Sequence, residues 1–180
     1  MKKRNVVLVV LMLLWIPMWL FSAGTKEAAV PGEEKLKVAV VLKTLSSEYW
    51  KRVVAGADEA AAKYNVELIM LGPPTEDAVE QQINMVQDAL TANPNALVFS
   101  PSQPPTAVNV LATAKSKGIP VILVDSPMFE GFEDYATFIG TENYLAGKLV
   151  AEALIKAIPA GGTAVIIEGA PGNPTMTQRA

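Results

Sequence analysis

Five side chains in this sequence have the chemistry to grip a small polar molecule. Each stands where an apolar run gives way to a loop or a helix start. Tyr49 and Trp50 follow the run VAVVL at 38–42, Asp125 follows VILV at 121–124, Asn143 follows Thr141-Glu142, and Arg179 lies in the last turn. Flat aromatic rings suit a ligand with an apolar face and polar edges, and a sugar ring has both. An ionised Asp accepts from two hydroxyls, Asn offers a donor beside an acceptor, and the Arg fork reaches two oxygens at once. Each residue also has a plainer reading. Trp50 could be core with Tyr49 at the surface, Asp125 could cap a turn with Ser126 and Pro127, Asn143 could serve a helix N-terminus, and Arg179 could simply be solvated. Lys43 and Glu48 are charges near the same edge, and the pattern gives neither a role.

Composition points from catalysis toward binding. The 180 residues include no His and no Cys. That removes Ser-His-Asp triads, HExxH zinc sites, disulfides, thiol chemistry and iron–sulfur ligation. No phosphate cradle of the GxxxxGK[ST] or GxGxxG type occurs, and no acidic pair follows the first apolar run, which leads into Lys43-Thr44. No cofactor and no metal site is therefore expected. A net charge of −3 lacks the basic footprint of a nucleic-acid binder. With 51% hydrophobic and 18% charged residues the chain has the makings of a packed domain rather than a disordered one.

The elements that must position these residues alternate strand with helix. The continuous apolar run at 38–42 reads as a strand buried on both faces, and further strands are read at 66–71, 96–100 and 121–124, with a short fifth at 137–139 and a sixth at 163–168. Between them lie helical patterns. The first, 49–64, places Trp50, Val53, Val54, Ala57, Ala61 and Tyr64 on one face. The second, with Thr75 as its N-cap, carries the stripe Val79, Ile83, Val86 and Leu90. The third runs 106–117 and closes at Gly118; the fourth runs 143–158; a last one begins at Thr175. This order predicts an α/β fold, a Rossmann-like parallel sheet flanked by helices. Ligands of such sheets gather at the carboxyl ends of the strands. All five residues lie at such ends or in the loops beyond them.

The ends of the chain read differently. Met1-Lys2-Lys3-Arg4, an apolar stretch at 6–21 and small residues Ser22-Ala23-Gly24 have the layout of a secretory signal, 1–24, cut after Ala23 or Gly24. An uncleaved N-terminal anchor is the alternative. Residues 25–35 (TKEAAVPGEEK) read as a flexible linker. At the other end a helix starts at Thr175 and stops within a turn, so a truncated chain is expected.

The pieces VAVVLKTLSSEYW, Gly56-Ala57, ALVFSPSQ, GIPVILVDS, FIGTENYLAGKLVAEAL and EGAPGNPTMTQRA, in this order and spacing, resemble the type I periplasmic sugar-binding proteins. These are the ribose-binding-like components of ABC importers. The resemblance runs from about residue 37 to 180. It implies two similar α/β lobes hinged around a sugar, with 36–140 as most of the first lobe and 141–180 as the opening of an incomplete second. It further implies that Tyr49 and Trp50 stack on the ligand, that Asp125 and Asn143 bind its hydroxyls, and that Arg179 completes the set. The chain departs from the ribose-type pattern in two places. Ser47-Glu48 stands where Asn-Pro is frequent, and Ser126 stands where Arg often follows the Asp, so the ligand need not be ribose.

The expected protein is thus an extracytoplasmic solute receptor without chemistry of its own. It is expected to be periplasmic or secreted, without membrane insertion of the mature chain, and to deliver a monosaccharide or polyol to a membrane permease. Two other uses share the fold: a sugar-sensing module for a chemoreceptor or sensor kinase, and a sugar-responsive transcription regulator, which would carry a helix-turn-helix where the signal stands. A Rossmann-like enzyme is the reading from another class, and the missing cofactor loop, His and Cys speak against it.

Overall fold

The computed structural model describes residues 35–169 and 171–180; the predicted signal, 1–24, and the predicted linker up to Glu34 lie outside the described residues. Five strands, β1 (Lys37–Val41), β2 (Glu67–Leu71), β3 (Ala96–Phe99), β4 (Val121–Val124) and β5 (Thr137–Ile139), form one sheet in the order β2-β1-β3-β4-β5. Every neighbouring pair is parallel. The helices are α1 (Glu48–Tyr64), α2 (Val79–Thr91), α3 (Pro104–Ser116), α4 (Asn143–Ala157) and α5 (Pro174–Arg179). No described helix is long and apolar enough to cross a membrane.

Alternation along the strands divides the core into two layers. Ala39, Val41, Leu97, Phe99, Val121 and Leu123 face one way, against Val86, Ala89 and Leu90 of α2 and Ala107, Val110 and Leu111 of α3. Val40 and Leu42 face the other way, with Val38 and Val98 at its margin, and meet Trp50, Val53 and Val54 of α1. The strands are apolar on both sides because both sides are covered.

Several boundaries differ from the sequence reading, each for a local reason. Helix α2 begins at Val79, behind Ala78, and Thr75 is not its N-cap. Residues 75–78 instead close a turn, Ala78 N–H to Thr75 O at 3.3 Å. Glu76 in that turn accepts a hydrogen bond from the Trp50 indole. Helix α3 starts two residues early, at Pro104; proline suits a first turn whose N–H groups have no helical acceptor. Tyr64, assigned to the inner face of α1, is 67% exposed. It sits in the last turn, where the neighbouring Lys63 ammonium lies 5.2 Å from its ring centroid.

The sixth strand is not formed. Residues 163–168 make no ladder among the described residues, and Val165, Ile166 and Ile167 are exposed. A strand needs a neighbour to take its backbone groups, and no strand of the sheet pairs with these residues.

Candidate functional site

The chain order reverses between β1 and β3: β1 is followed by β2 on one side, and the chain then returns to place β3 on the other. The loops that leave the carboxyl ends there diverge and leave a crevice. Helix α1 starts at this edge with Ser47 as its N-cap, its hydroxyl accepting from Trp50 N–H at 3.4 Å. That cap fixes the first turn and sends Tyr49 and Trp50 in different directions. Trp50 is buried in the core beside α1, whereas Tyr49 is 55% exposed. The two rings meet edge to face at 4.9 Å between centroids.

Asp125 is the hub. Its φ of 63° is the left-handed conformation, which few residues besides Gly, Asn and Asp adopt readily. Its N–H donates to Ile139 O at 2.9 Å, so the strained turn is held to the end of β5. The Tyr49 hydroxyl donates to Asp125 Oδ1 at 2.8 Å. The Lys43 ammonium donates to Oδ2 at 3.0 Å and to Asn173 Oδ1 at 3.4 Å. Lys43 is almost wholly buried, and its Nζ lies 5.9 Å from the Trp50 ring centroid. Burial chiefly, and then the bond to Asp125, push the Tyr49 phenol up to about 12.

The far wall comes from α5. Asn173 caps this helix by accepting from Thr175 N–H at 3.1 Å. The Thr175 hydroxyl shares a 2.9 Å bond with Ser126 and donates to Asp125 O at 3.3 Å. Arg179 thereby reaches the same cavity as Lys43, Tyr49, Trp50, Glu76 and Asp125, with a volume of about 170 Å³. Arg179 Nε donates to Asn143 Oδ1 at 2.7 Å. No described carboxylate pairs with its guanidinium.

Four of the five residues singled out in the sequence, Tyr49, Trp50, Asp125 and Arg179, therefore line one cavity. Asn143 does not line it. It is buried one bond behind Arg179, with Nδ2 lacking a partner among the described residues. Glu48, at the same edge, is exposed and pairs with Lys51 instead. Sequence reasoning passed over Lys43, Glu76, Asn173 and Thr175. A lysine directly after an apolar strand was the available signal, but its partner stands 82 residues away. Gln82 was missed as well. Buried in α2, it donates to Leu42 O and Ser100 O and accepts from Ser102 N–H, tying the ends of β1 and β3 behind the cavity. No three described His, Cys, Asp or Glu side chains converge as metal ligands.

A doubly covered parallel sheet with a polar, aromatic-walled crevice at its carboxyl edge defines a ligand-binding lobe. The chain belongs to the periplasmic binding protein domain family, whose model matches residues 38–180. It is 29% identical over 141 residues to the D-allose-binding periplasmic protein of Escherichia coli, covering 75% of this chain and 45% of that one. It is 28% identical over 152 residues to a D-ribose/D-allose-binding protein of Pseudomonas aeruginosa, covering 81% and 48%. Among solved structures, an ABC transporter periplasmic solute binding protein of Actinobacillus succinogenes with bound D-allose superimposes with a TM-score of 0.74 at 29% identity, over 81% of this chain and 52% of that one. A solute binding protein of Agrobacterium vitis with bound D-fucose gives 0.76 at 32% identity, over 79% and 50%. The chain spans about half the length of the curated relatives it matches.

Proposed function

We propose that this chain supplies one wall of a sugar site and the beginning of the facing wall in an extracytoplasmic solute-binding protein. The observation that carries the reading is the convergence of an acceptor, Asp125, two cations, Lys43 and Arg179, and two aromatic rings on one crevice. A monosaccharide offers hydroxyl donors for the carboxylate, oxygen acceptors for the cations and an apolar face for a ring. Relatives named for D-allose and D-ribose support that ligand class. The assigned contacts are Tyr49, Asp125 and Arg179, joined by Lys43, with the buried Trp50 backing the Tyr49 ring at the floor of the crevice and Asn143 orienting Arg179.

Residues 36–140 then form most of one lobe, and 141–180 open a second. Contacts from both sides of a sugar favour a closed form over an open one, because a ligand shifts an equilibrium only by its different affinity for the two states. The closed form would dock on the permease of an ABC importer, delivering the sugar from the periplasm or the cell exterior.

Calorimetry of the folded protein with pentoses, hexoses and polyols tests this. Saturable binding of at least one sugar is expected, together with a change in fluorescence that disappears in Trp50→Phe. Heat-free titrations across the whole panel would overturn the sugar reading.

A further inference from the structure

Asp125 is the acceptor of this crevice, yet both its oxygens are engaged by the chain itself. Oδ2 points to the buried Lys43 ammonium, with the Ser126 hydroxyl at 3.5 Å. That leaves Oδ1 for a ligand, and the Tyr49 hydroxyl already sits on it at 2.8 Å. A carboxylate oxygen has two lone-pair sites, so Tyr49 leaves one of them open. The two partners differ in freedom. Lys43 is 2% exposed and is held by Asn173 as well, whereas Tyr49 is 55% exposed and Asp125 is the one side-chain partner of its hydroxyl among the described residues.

A neighbouring pair of sugar hydroxyls can straddle a free carboxylate, one on each oxygen. Here Oδ2 is turned to the lysine, so both hydroxyls would have to share the two lone-pair sites of Oδ1, and Tyr49 fills one of them. With its O–H directed at Asp125, the phenol presents only a neutral oxygen to the cavity. A second sugar hydroxyl would have to bond to that oxygen, and a neutral acceptor forms a weaker bond than a carboxylate.

Resting on the sugar-binding reading, we propose that Tyr49 sets specificity by occupying Asp125 Oδ1. The crevice then takes a sugar that offers Asp125 a single hydroxyl, and a deoxy position beside that hydroxyl is tolerated. Tyr49→Phe keeps the ring and its packing on Trp50 but frees the oxygen. It should convert a site indifferent to the second hydroxyl into one that demands it.

The test measures affinities of the full chain and of Tyr49→Phe for D-ribose with 2-deoxy-D-ribose, and for D-glucose and D-galactose with their monodeoxy forms. In the parent, at least one deoxy sugar should bind within a few-fold of its hydroxylated counterpart. In Tyr49→Phe the preference for the hydroxylated member of that pair should rise about tenfold, the worth of one charge-assisted bond. The rise should vanish when Asp125→Asn is added, since the freed oxygen is then no longer a carboxylate's. Binding with an unchanged or reduced ratio in a folded Tyr49→Phe overturns this proposal and leaves the sugar reading standing. The same holds for a rise that persists in the double variant. Absence of binding by the parent to every sugar overturns both.

Discussion

Lys43 changes what can be expected of its partner. With Asp125 taken only as a ligand contact, Asp125→Ala would cost binding and little stability. In the fold that carboxylate neutralises an ammonium 2% exposed. Removing one partner of a buried pair strands the other charge, at a cost of about 3 kcal/mol. Asp125→Ala should therefore weaken sugar binding by about a hundredfold or more and also lower the unfolding midpoint clearly. Lys43→Met added to Asp125→Ala should recover much of the stability but none of the affinity. Denaturant melts and calorimetry on the single and double variants check both halves; a stable, tightly binding Asp125→Ala would remove the residue from the site.

Tyr49 carries its own signature. Its phenol is pushed from 10.0 up to about 12, by burial first and by Asp125 second. A raised folded value means that the protonated phenol contributes stability fully below pH 10 and that this contribution is lost as the pH climbs toward 12. Ultraviolet titration of the parent against Tyr49→Phe should show one tyrosine ionising late. In Asp125→Asn that tyrosine should ionise earlier, yet still above its ordinary value, because the burial remains. A Tyr49 that titrates identically in the parent and in Asp125→Asn would contradict the bond to Asp125.

At the scale of elements, the strands were legible because β1, β2, β3 and β4 are apolar runs packed in a doubly covered sheet, and the last three are bounded by Asn, Gly, Pro or Asp. The strand-end rule located Asp125, Tyr49 and Trp50 for the same reason. What the sequence hid depends on partners far along the chain: Lys43 on Asp125 and Asn173, Gln82 on the ends of β1 and β3, and Glu76 on Trp50. Two glycines separate the two kinds of information. Gly56 stands exposed within α1, and a methyl group there meets nothing within 4 Å. Gly56→Ala should stabilise the chain by about 0.5–1 kcal/mol through helix propensity alone. Gly147 of α4 lies against the backbone of Arg179, so a methyl there would push α5 away. Gly147→Ala should weaken sugar binding about tenfold by displacing the guanidinium. Thermal melts and calorimetry on the pair decide this; equal affinity in both variants would mean that Arg179 is not held at the site by this contact.

The whole molecule is covered unevenly. The sheet has helices on both faces, but α4 and the segment after it present Val150, Ile155, Val165 and Ile167 at 69%, 68%, 84% and 95% exposure. A cavity of about 560 Å³ between α4 and residues 164–167 is lined largely by such side chains. Their apolar pattern is what predicted a strand at 163–168, and among the described residues they stay exposed. The pattern was read correctly as hydrophobic; a strand also requires a second chain segment to accept its hydrogen bonds. If 141–180 open a second lobe, that segment belongs to the same lobe and not to the sheet of β1–β5. Hydrogen exchange on the chain of 180 residues separates the possibilities. Amides of β1, β3 and β4 should open only with global unfolding, whereas those of 163–168 should exchange at nearly the free-peptide rate. In a chain extended by the second half of one of its sugar-binding relatives, residues 163–168 should become as slow as β1. Slow exchange at 163–168 in the shorter chain, without any extension, would mean that these residues already find a partner strand, in this fold or in a second copy, and the second-lobe assignment would fall.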